Sequence, residues 1–252
     1  MENIKRYWEE NAKKYGSSHW ASWGDRFAIN LEIESIAEQI LPNDYVLDIG
    51  CANGYSTAEI RKRQPNAEYI GMDYSEAMIA AAKSANHHPD IKFMVGDIRH
   101  IAFPDNTFDV VYTTRVLINL PTWEEQVQGI RECLRVVKPG GKVVLSEGFW
   151  EPLVKLNTMR FICGLDPLVE HDFNRYLKQS RLEALLAAEG VLYAVNEFSS
   201  VYYIGSRLLR ELFTDPEKYE GYENPVNQLF YTLSQSYRTG GFGIQIAYII
   251  NK

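Results

Sequence analysis

Cysteine is scarce in this sequence. The 252 residues include three cysteines, Cys51, Cys133 and Cys163, which are widely spaced and form no CxxC pair. An odd number of scattered cysteines excludes the disulfide framework of small secreted domains. We therefore expect reduced thiols in a cytoplasmic protein, and we predict no metal site.

Long apolar runs are also missing. No stretch approaches the ~20 apolar residues that a membrane-spanning helix needs. The N-terminal stretch MENIKRYWEENAKKYG is polar and of mixed charge, without the apolar segment of a secretory signal. We therefore predict no membrane partner.

Positive charge is in deficit. Lysine and arginine total 26 against 33 aspartates and glutamates, the net charge is −7, and no basic run is present. A surface that follows a phosphate backbone needs the opposite balance, so we predict no nucleic-acid partner. With 46% hydrophobic and 23% charged residues, the composition is that of an ordinary globular protein.

What the sequence does contain is an alternation of strand-like and helix-like segments from residue 45 onward. Most of the apolar runs are separated by segments of helical period. This alternation predicts an α/β fold with a parallel sheet between helices. The strand-like segments are YVLDIG, AEYIGMD, IKFMVGD, FDVVYTT, KPGGKVVLSEG, VLYAVNEFSSVYYIG and GFGIQIAYIIN.

We predict a single domain over residues 1–252, because the sequence has no internal repeat and no low-complexity linker. Within it we distinguish a helical cap at 1–40, a ligand-binding core at 41–150, a helical insertion and lid at 151–240, and a last strand at 241–252. The insertion is too long to be a simple link between two strands.

A glycine-containing turn joins the first strand to the following helix. It reads Gly50-Cys-Ala52-Asn-Gly54 and follows Asp48. Glycines at such a turn allow a ligand to approach the backbone closely. The turn lacks the G-x-G-x-x-G spacing of a dinucleotide site, and the Walker pattern of a phosphate loop is absent.

The sequence VLDIGCANG resembles motif I of the class I S-adenosylmethionine-dependent methyltransferases, with Ala52 in place of the usual middle glycine. Further segments resemble the later motifs in the correct order, over roughly residues 40–150. The resemblance implies a Rossmann-like sheet of seven mostly parallel strands, with helices on both faces, an antiparallel last strand and a helical lid. It implies S-adenosyl-L-methionine as the cofactor. These later motifs are IGMDYSEAMI, FMVGDI, FDVVYTT and LRVVKPGGKVVLSE.

The same resemblance implies roles for individual side chains. Asp73, at the end of the second strand, is expected to accept hydrogen bonds from both ribose hydroxyls. Asp97 and the backbone of Ile98 are expected near the adenine amino group, while Tyr74 and Met78 would pack against the adenine faces. The motif I residues predicted to bind the cofactor are Asp48, Gly50, Ala52, Asn53 and Gly54.

The N-terminal segment is similar to that of glycine N-methyltransferase. Tyr7 and Arg26 precede the glycine turn at similar spacings. In that enzyme a tyrosine and an arginine close over the methionyl end, so Arg26 is predicted to bind the cofactor carboxylate.

The acceptor side is less clearly marked. Thr114 and Arg115 end the fourth strand and are predicted near the donor methyl group. Glu147, at the end of the fifth strand, and His171, in the insertion, are the two candidate catalytic groups. The insertion also carries three polar residues that could line an acceptor pocket: Asn157, Arg160 and Tyr176.

These observations predict a methyltransferase with a small-molecule acceptor, on oxygen in preference to nitrogen. Either a hydroxyl or a carboxylate could be the acceptor. Two alternatives stay open: a small-molecule N-methyltransferase and a regulatory protein that binds S-adenosylmethionine without turnover. An NAD-dependent oxidoreductase is disfavoured, because the dinucleotide fingerprint is missing.

Overall fold

The computed structural model describes residues 2–86, 88–215 and 221–252 of the chain. Seven strands form one sheet in the order β3-β2-β1-β4-β5-β7-β6. Their bounds are β1 Tyr45–Ile49, β2 Glu68–Asp73, β3 Ile91–Val95, β4 Phe108–Thr114, β5 Val137–Gly148, β6 Leu192–Asn196 and β7 Gln245–Asn251.

Strands β1 to β5 pair in parallel, and β7 lies antiparallel between β5 and β6. The carboxyl ends of β1 to β5 therefore meet at one edge of the sheet. The order of connection reverses between β1 and β4, and ligands bind in the crevice at such a switch point. The predicted Rossmann-like fold with an antiparallel last strand is confirmed.

Helices cover both faces of the sheet. Alternate strand residues face opposite sides, so Val46, Val110 and Val144 belong to one apolar core, and Leu47, Val111 and Val143 belong to another. Because both faces are buried, the strands consist of continuous apolar runs. The helices are α1 Glu2–Tyr15, α2 Arg26–Ala37, α3 Tyr55–Arg63, α4 Glu76–Ala85, α5 Trp123–Val136, α6 Trp150–Ile162, α7 Gln179–Ala188, α8 Ser200–Ile204, α9 Arg210–Phe213 and α10 Pro225–Ser234.

The prediction of one strand over VLYAVNEFSSVYYIG is wrong in its second half. Strand β6 ends at Asn196, and Ser200–Ile204 forms α8, which continues through a π-helical turn at Gly205–Leu209 into α9. Phe198, in the turn before α8, and Tyr202, within α8, are both buried in the same apolar core. Aromatic and β-branched residues favour strands, but tertiary burial overrides that local preference.

Among the described residues, no helix is both long enough and apolar enough to cross a membrane. The three cysteines are free thiols, of which Cys51 and Cys133 are buried and Cys163 is exposed.

Candidate active site

A cavity of about 480 Å³ opens at the carboxyl ends of the parallel strands. Its floor comes from the ends of β1, β2, β4 and β5. Residues of α1 and of the insertion after β5 form the opposite wall. This volume lies in the range of small-molecule sites.

The glycine turn forms part of the floor. Gly50 has a φ of +76° and Gly54 a φ of +77°, a backbone region that non-glycine residues rarely adopt. A Cβ at Gly50 would lie 2.0 Å from Cγ2 of Val116, so a side chain there would clash. Ala52 also has a positive φ, +46°. Gly50 and Ala52 line the cavity, whereas Gly54 starts α3 and does not.

Asp73 lines the cavity beside this turn and is 8% exposed. Its Oδ2 accepts a hydrogen bond from the amide of Ala52 at 3.0 Å, and its Oδ1 accepts one from the amide of Ser75 at 2.9 Å. Burial raises the pKa of Asp73 to about 6, although these two hydrogen bonds act to lower it. The N-cap of α4 is Ser75, which accepts from the amide of Met78. Asp73 is therefore not the helix cap.

Asp48 does not line the cavity. Its Oδ2 accepts a hydrogen bond from the Thr57 hydroxyl at 2.6 Å, which ties β1 to the first turn of α3. Burial raises the pKa of Asp48 to about 7, although the hydrogen bond from Thr57 acts to lower it. Asp48 was predicted to bind the cofactor, but its carboxylate lies outside the cavity lining and bonds to α3 instead.

Asn53 holds the N-terminal segment over the site. Its Nδ2 donates to the carbonyls of Gly16 at 2.7 Å and Ser18 at 2.8 Å. A second tie joins α1 to α4, since the Ser75 hydroxyl donates to Glu9 at 3.0 Å. Asn53 lines the cavity, but its side-chain nitrogen donates to these two backbone carbonyls.

Asp97, Ile98, Tyr74 and Met78 all line the cavity near the ends of β2 and β3. The Asp97 carboxylate accepts several bonds from Arg99, including one from Nη2 at 2.6 Å. Burial favours protonation, but Arg99 outweighs it and holds the pKa of Asp97 below its usual value. The Tyr74 hydroxyl is buried and has no hydrogen-bond partner among the described residues.

Thr114 and Arg115 line the cavity where β4 ends. Arg115 has a φ of +58°, and its guanidinium carbon lies 4.9 Å from the centroid of the Trp23 ring. Its Nη2 is 3.3 Å from Oε2 of the fully buried Glu32. Burial raises the pKa of Glu32, and Arg115 opposes that rise.

Arg26 lies outside the cavity, contrary to the prediction. Its side chain is 49% exposed, and its Nε lies 3.7 Å from Glu223. It is the first residue of α2. Asp25, one position earlier, is fully buried and forms an ion pair with Arg207.

Glu147 is also absent from the cavity wall, although it was expected to face the crevice. The carboxylate is fully buried and accepts bonds from the Thr113 hydroxyl at 2.7 Å and from the amides of Val116, Leu117 and Ile118. Burial raises the pKa of Glu147 to about 7, although these hydrogen bonds act to lower it. Its position is that of an anchor for the loop after β4.

The insertion contributes an aromatic edge to the cavity mouth. The His171 ring is exposed and lies 4.1 Å from the Phe173 ring and 5.7 Å from the Tyr7 ring, centroid to centroid. Tyr7, His171, Phe173 and Tyr176 all line the cavity. Arg160 and Asn157 do not line it, because they bind the backbone of the segment 166–168.

Sequence reasoning missed a second set of cavity residues. Arg207 lies in the π-helical turn, and three tyrosines and a glutamine surround that end of the cavity. Nothing in the sequence GSRLLRELF distinguishes this arginine from those of an ordinary helix surface. No group of three or more histidine, cysteine, aspartate or glutamate side chains in the described part of the chain could hold a metal. The other members of the set are Tyr203, Tyr222 and Gln245; Tyr176, which borders the same end of the cavity, is the residue among them that the sequence had suggested.

Comparison with known proteins gives a match to a methyltransferase domain over residues 46–141. An uncharacterized methyltransferase of Schizosaccharomyces pombe is 35% identical over 113 residues, which cover 41% of this chain and 40% of that protein. A demethylmenaquinone methyltransferase of Corynebacterium kroppenstedtii is 34% identical over 113 residues, 45% of each chain. The match therefore spans less than half of these two curated relatives.

A solved structure from Thermotoga maritima matches over the whole length. It is described as an S-adenosylmethionine-dependent methyltransferase and possible histamine N-methyltransferase. The TM-score is 0.62 with 16% identity, and the alignment covers 99% of both chains. At this identity the likeness concerns the fold alone, including the cap and the insertion.

Proposed function

We propose that this chain, which carries a methyltransferase domain over residues 46–141, is a class I, Rossmann-like, S-adenosylmethionine-dependent methyltransferase that transfers a methyl group to a small-molecule acceptor, with oxygen preferred over nitrogen. The observation that carries this proposal is the meeting of the glycine turn and Asp73 at the floor of one cavity. The rest of that cavity extends into the insertion, which leaves room for an acceptor.

The residues at the floor fit the cofactor. A carboxylate offers about four lone-pair positions. Two at Asp73 are used by the amides of Ala52 and Ser75, so two stay free for a ribose diol. The unpartnered Tyr74 hydroxyl and the buried Met78 side chain lie beside this point and would border the adenine.

The methionyl end of the cofactor would lie between the glycine turn and the end of β4. Arg115 takes the place that the sequence had suggested for Arg26, because its Nε is buried and without a hydrogen-bond partner among the described residues. A guanidinium suits a carboxylate. When bound, S-adenosylmethionine supplies an activated methyl group on a sulfonium.

The chain's own task is then to position the acceptor and exclude water. Aromatic rings from α1 and the insertion meet at the mouth, where Tyr7 lies 4.8 Å from Phe173, centroid to centroid. A hydroxyl acceptor must lose a proton as the methyl moves, and the His171 imidazole at this edge is the proposed general base.

The regulatory alternative, binding without turnover, is less well supported. It would be favoured if side chains filled the acceptor half of the cavity. Instead the cavity continues past Gly148 to Tyr176 and Tyr222. N-methylation stays open, because an amine acceptor could use the same site.

The test is turnover of labelled S-adenosylmethionine against a panel of sugars, amines and carboxylic acids. Calorimetry with S-adenosylhomocysteine and with NAD tests the cofactor separately. We expect S-adenosylhomocysteine to bind and NAD to bind far more weakly. Tighter binding of NAD would contradict the proposal.

A further inference from the structure

Arg207 is a buried arginine whose hydrogen-bonding capacity is only partly used. The residue lines the cavity and is 9% exposed. Its Nη2 lies 2.5 Å from Oδ2 of Asp25. Its Nη1 is shielded from solvent and has no hydrogen-bond partner among the described residues. A buried unpartnered donor costs free energy, so a native structure that keeps one calls for an explanation.

The surrounding contacts hold this guanidinium in place. Asp25 is fully buried, caps α2 by accepting from the amide of Ala28 at 3.2 Å, and accepts from the Tyr202 hydroxyl at 2.7 Å. Burial disfavours the charged guanidinium, but Asp25 outweighs this and raises the pKa of Arg207. The π-helical turn that presents the arginine is of a kind often found at functional sites.

Arg160 shows what a saturated arginine looks like in the same region. It is also buried, and its three nitrogens donate to the Asp166 carbonyl, the Arg207 carbonyl and the Glu211 carboxylate. It does not line the cavity. The contrast shows that an unpartnered guanidinium nitrogen is not a general feature of this part of the fold, and that it occurs on the arginine that lines the cavity.

Aromatic rings border Arg207 on the cavity side. Its guanidinium carbon lies 4.9 Å from the ring centroid of Tyr222 and 5.2 Å from that of Tyr203. Both rings line the cavity. Flat walls of this kind suit a planar ligand group, and the free N–H requires an acceptor oxygen.

Resting on the proposed function, we propose that the methyl acceptor carries a carboxylate, which binds Arg207 through the unpartnered nitrogen. The Arg207–Asp25 pair is neutral overall, so a bound carboxylate leaves one net negative charge at the site. A phosphate dianion would place a second negative charge in a region of low dielectric constant, which costs more.

The test uses three probes of one shape: benzoate, neutral benzamide and phenyl phosphate. Their binding is measured by calorimetry on the full chain, with and without S-adenosylhomocysteine. We expect benzoate to bind at least about tenfold more tightly than benzamide, the value of one charge-assisted hydrogen bond. Arg207→Gln should remove this preference while the affinity for S-adenosylhomocysteine stays unchanged.

Arg160→Gln is the matched control, because it removes a buried arginine that does not line the cavity. It should keep the preference for benzoate. Arg207→Lys, which keeps a positive charge beside Asp25, provides a second variant if Arg207→Gln does not fold, and it should lower benzoate affinity by about tenfold.

Absent or equal binding of benzoate and benzamide to the native protein would overturn the inference. A preference that survives in both Arg207 variants, or tighter binding of phenyl phosphate than of benzoate, would also overturn it. Failure of S-adenosylhomocysteine to bind would contradict the proposed function only, because the probes are also measured without it.

Discussion

Glu147 offers the sharpest test of the difference between a catalytic and an anchoring carboxylate. The perturbation is Glu147→Gln, which keeps the shape of the side chain and removes its charge. Three donors converge on Oε1, namely the Thr113 hydroxyl and the amides of Val116 and Leu117, so the Gln carbonyl can serve them. Only the weaker bond from Ile118, at 3.4 Å, is lost.

The magnitude follows from the pKa. Burial raises the pKa of Glu147 to about 7 from its ordinary 4.5. Between these values the folded state holds a proton that the unfolded state releases. The contribution of Glu147 to stability is therefore greatest at low pH and falls as pH rises through 7. Between pH 5 and pH 8 this fall amounts to about 2–3 kcal/mol.

Gln does not titrate, so the variant lacks this contribution to the pH dependence. Urea unfolding at pH 5, 6, 7 and 8 measures it as the free energy of unfolding of the variant minus that of the native protein. We expect this difference to rise by about 2–3 kcal/mol across the range. Glu124→Gln, on the exposed face of α5, is the matched control and should leave the difference constant.

Activity gives the second readout. An anchoring Glu147 predicts that Glu147→Gln keeps most of its turnover and its affinity for S-adenosylhomocysteine. If the difference in free energy of unfolding stays constant between pH 5 and pH 8, the raised pKa of Glu147 is refuted. A loss of turnover of about 10²-fold or more with unchanged cofactor affinity would indicate that Glu147 is a catalytic group.

Two further predictions concern the cavity. Asp73→Asn keeps the size of the side chain but removes a charged acceptor. The affinity for S-adenosylhomocysteine, measured by calorimetry, should therefore fall at least about tenfold. In the native protein this affinity should also weaken below a pH of about 6, where Asp73 gains a proton. An unchanged dissociation constant would limit Asp73 to its bonds with the backbone. His171→Ala should lower turnover by roughly 10²-fold, with cofactor affinity intact, and near-normal turnover at neutral pH would exclude it as the base.

The sequence by itself determined the order of strands and helices up to β5 and the position of the glycine turn. These features depend on neighbours within a few residues of one another. Apolar runs mark strands buried on both faces, and Gly50 and Gly54 mark a turn that needs positive φ. Asp73 could be predicted for the same reason, since it ends a strand beside the switch point.

Only the tertiary structure decided which polar groups face the cavity. Asp25 and Arg207 are 182 residues apart, and their contact depends on how the helical segment after β6 packs on α2. The same packing leaves Arg26 outside, although it adjoins Asp25 in sequence. The direction of a side chain from a helix end is set by burial of its neighbours, which local sequence does not encode.

Glu147 shows the same division. The sequence correctly placed it in β5, near the carboxyl end of that strand, but its partners are three backbone amides and a hydroxyl from the end of β4 and the loop that follows. A buried carboxylate is stable only where such donors converge, and convergence is a property of the folded chain. The sequence alone therefore predicted the glycine turn. The residues that line the cavity could be identified only from the folded structure.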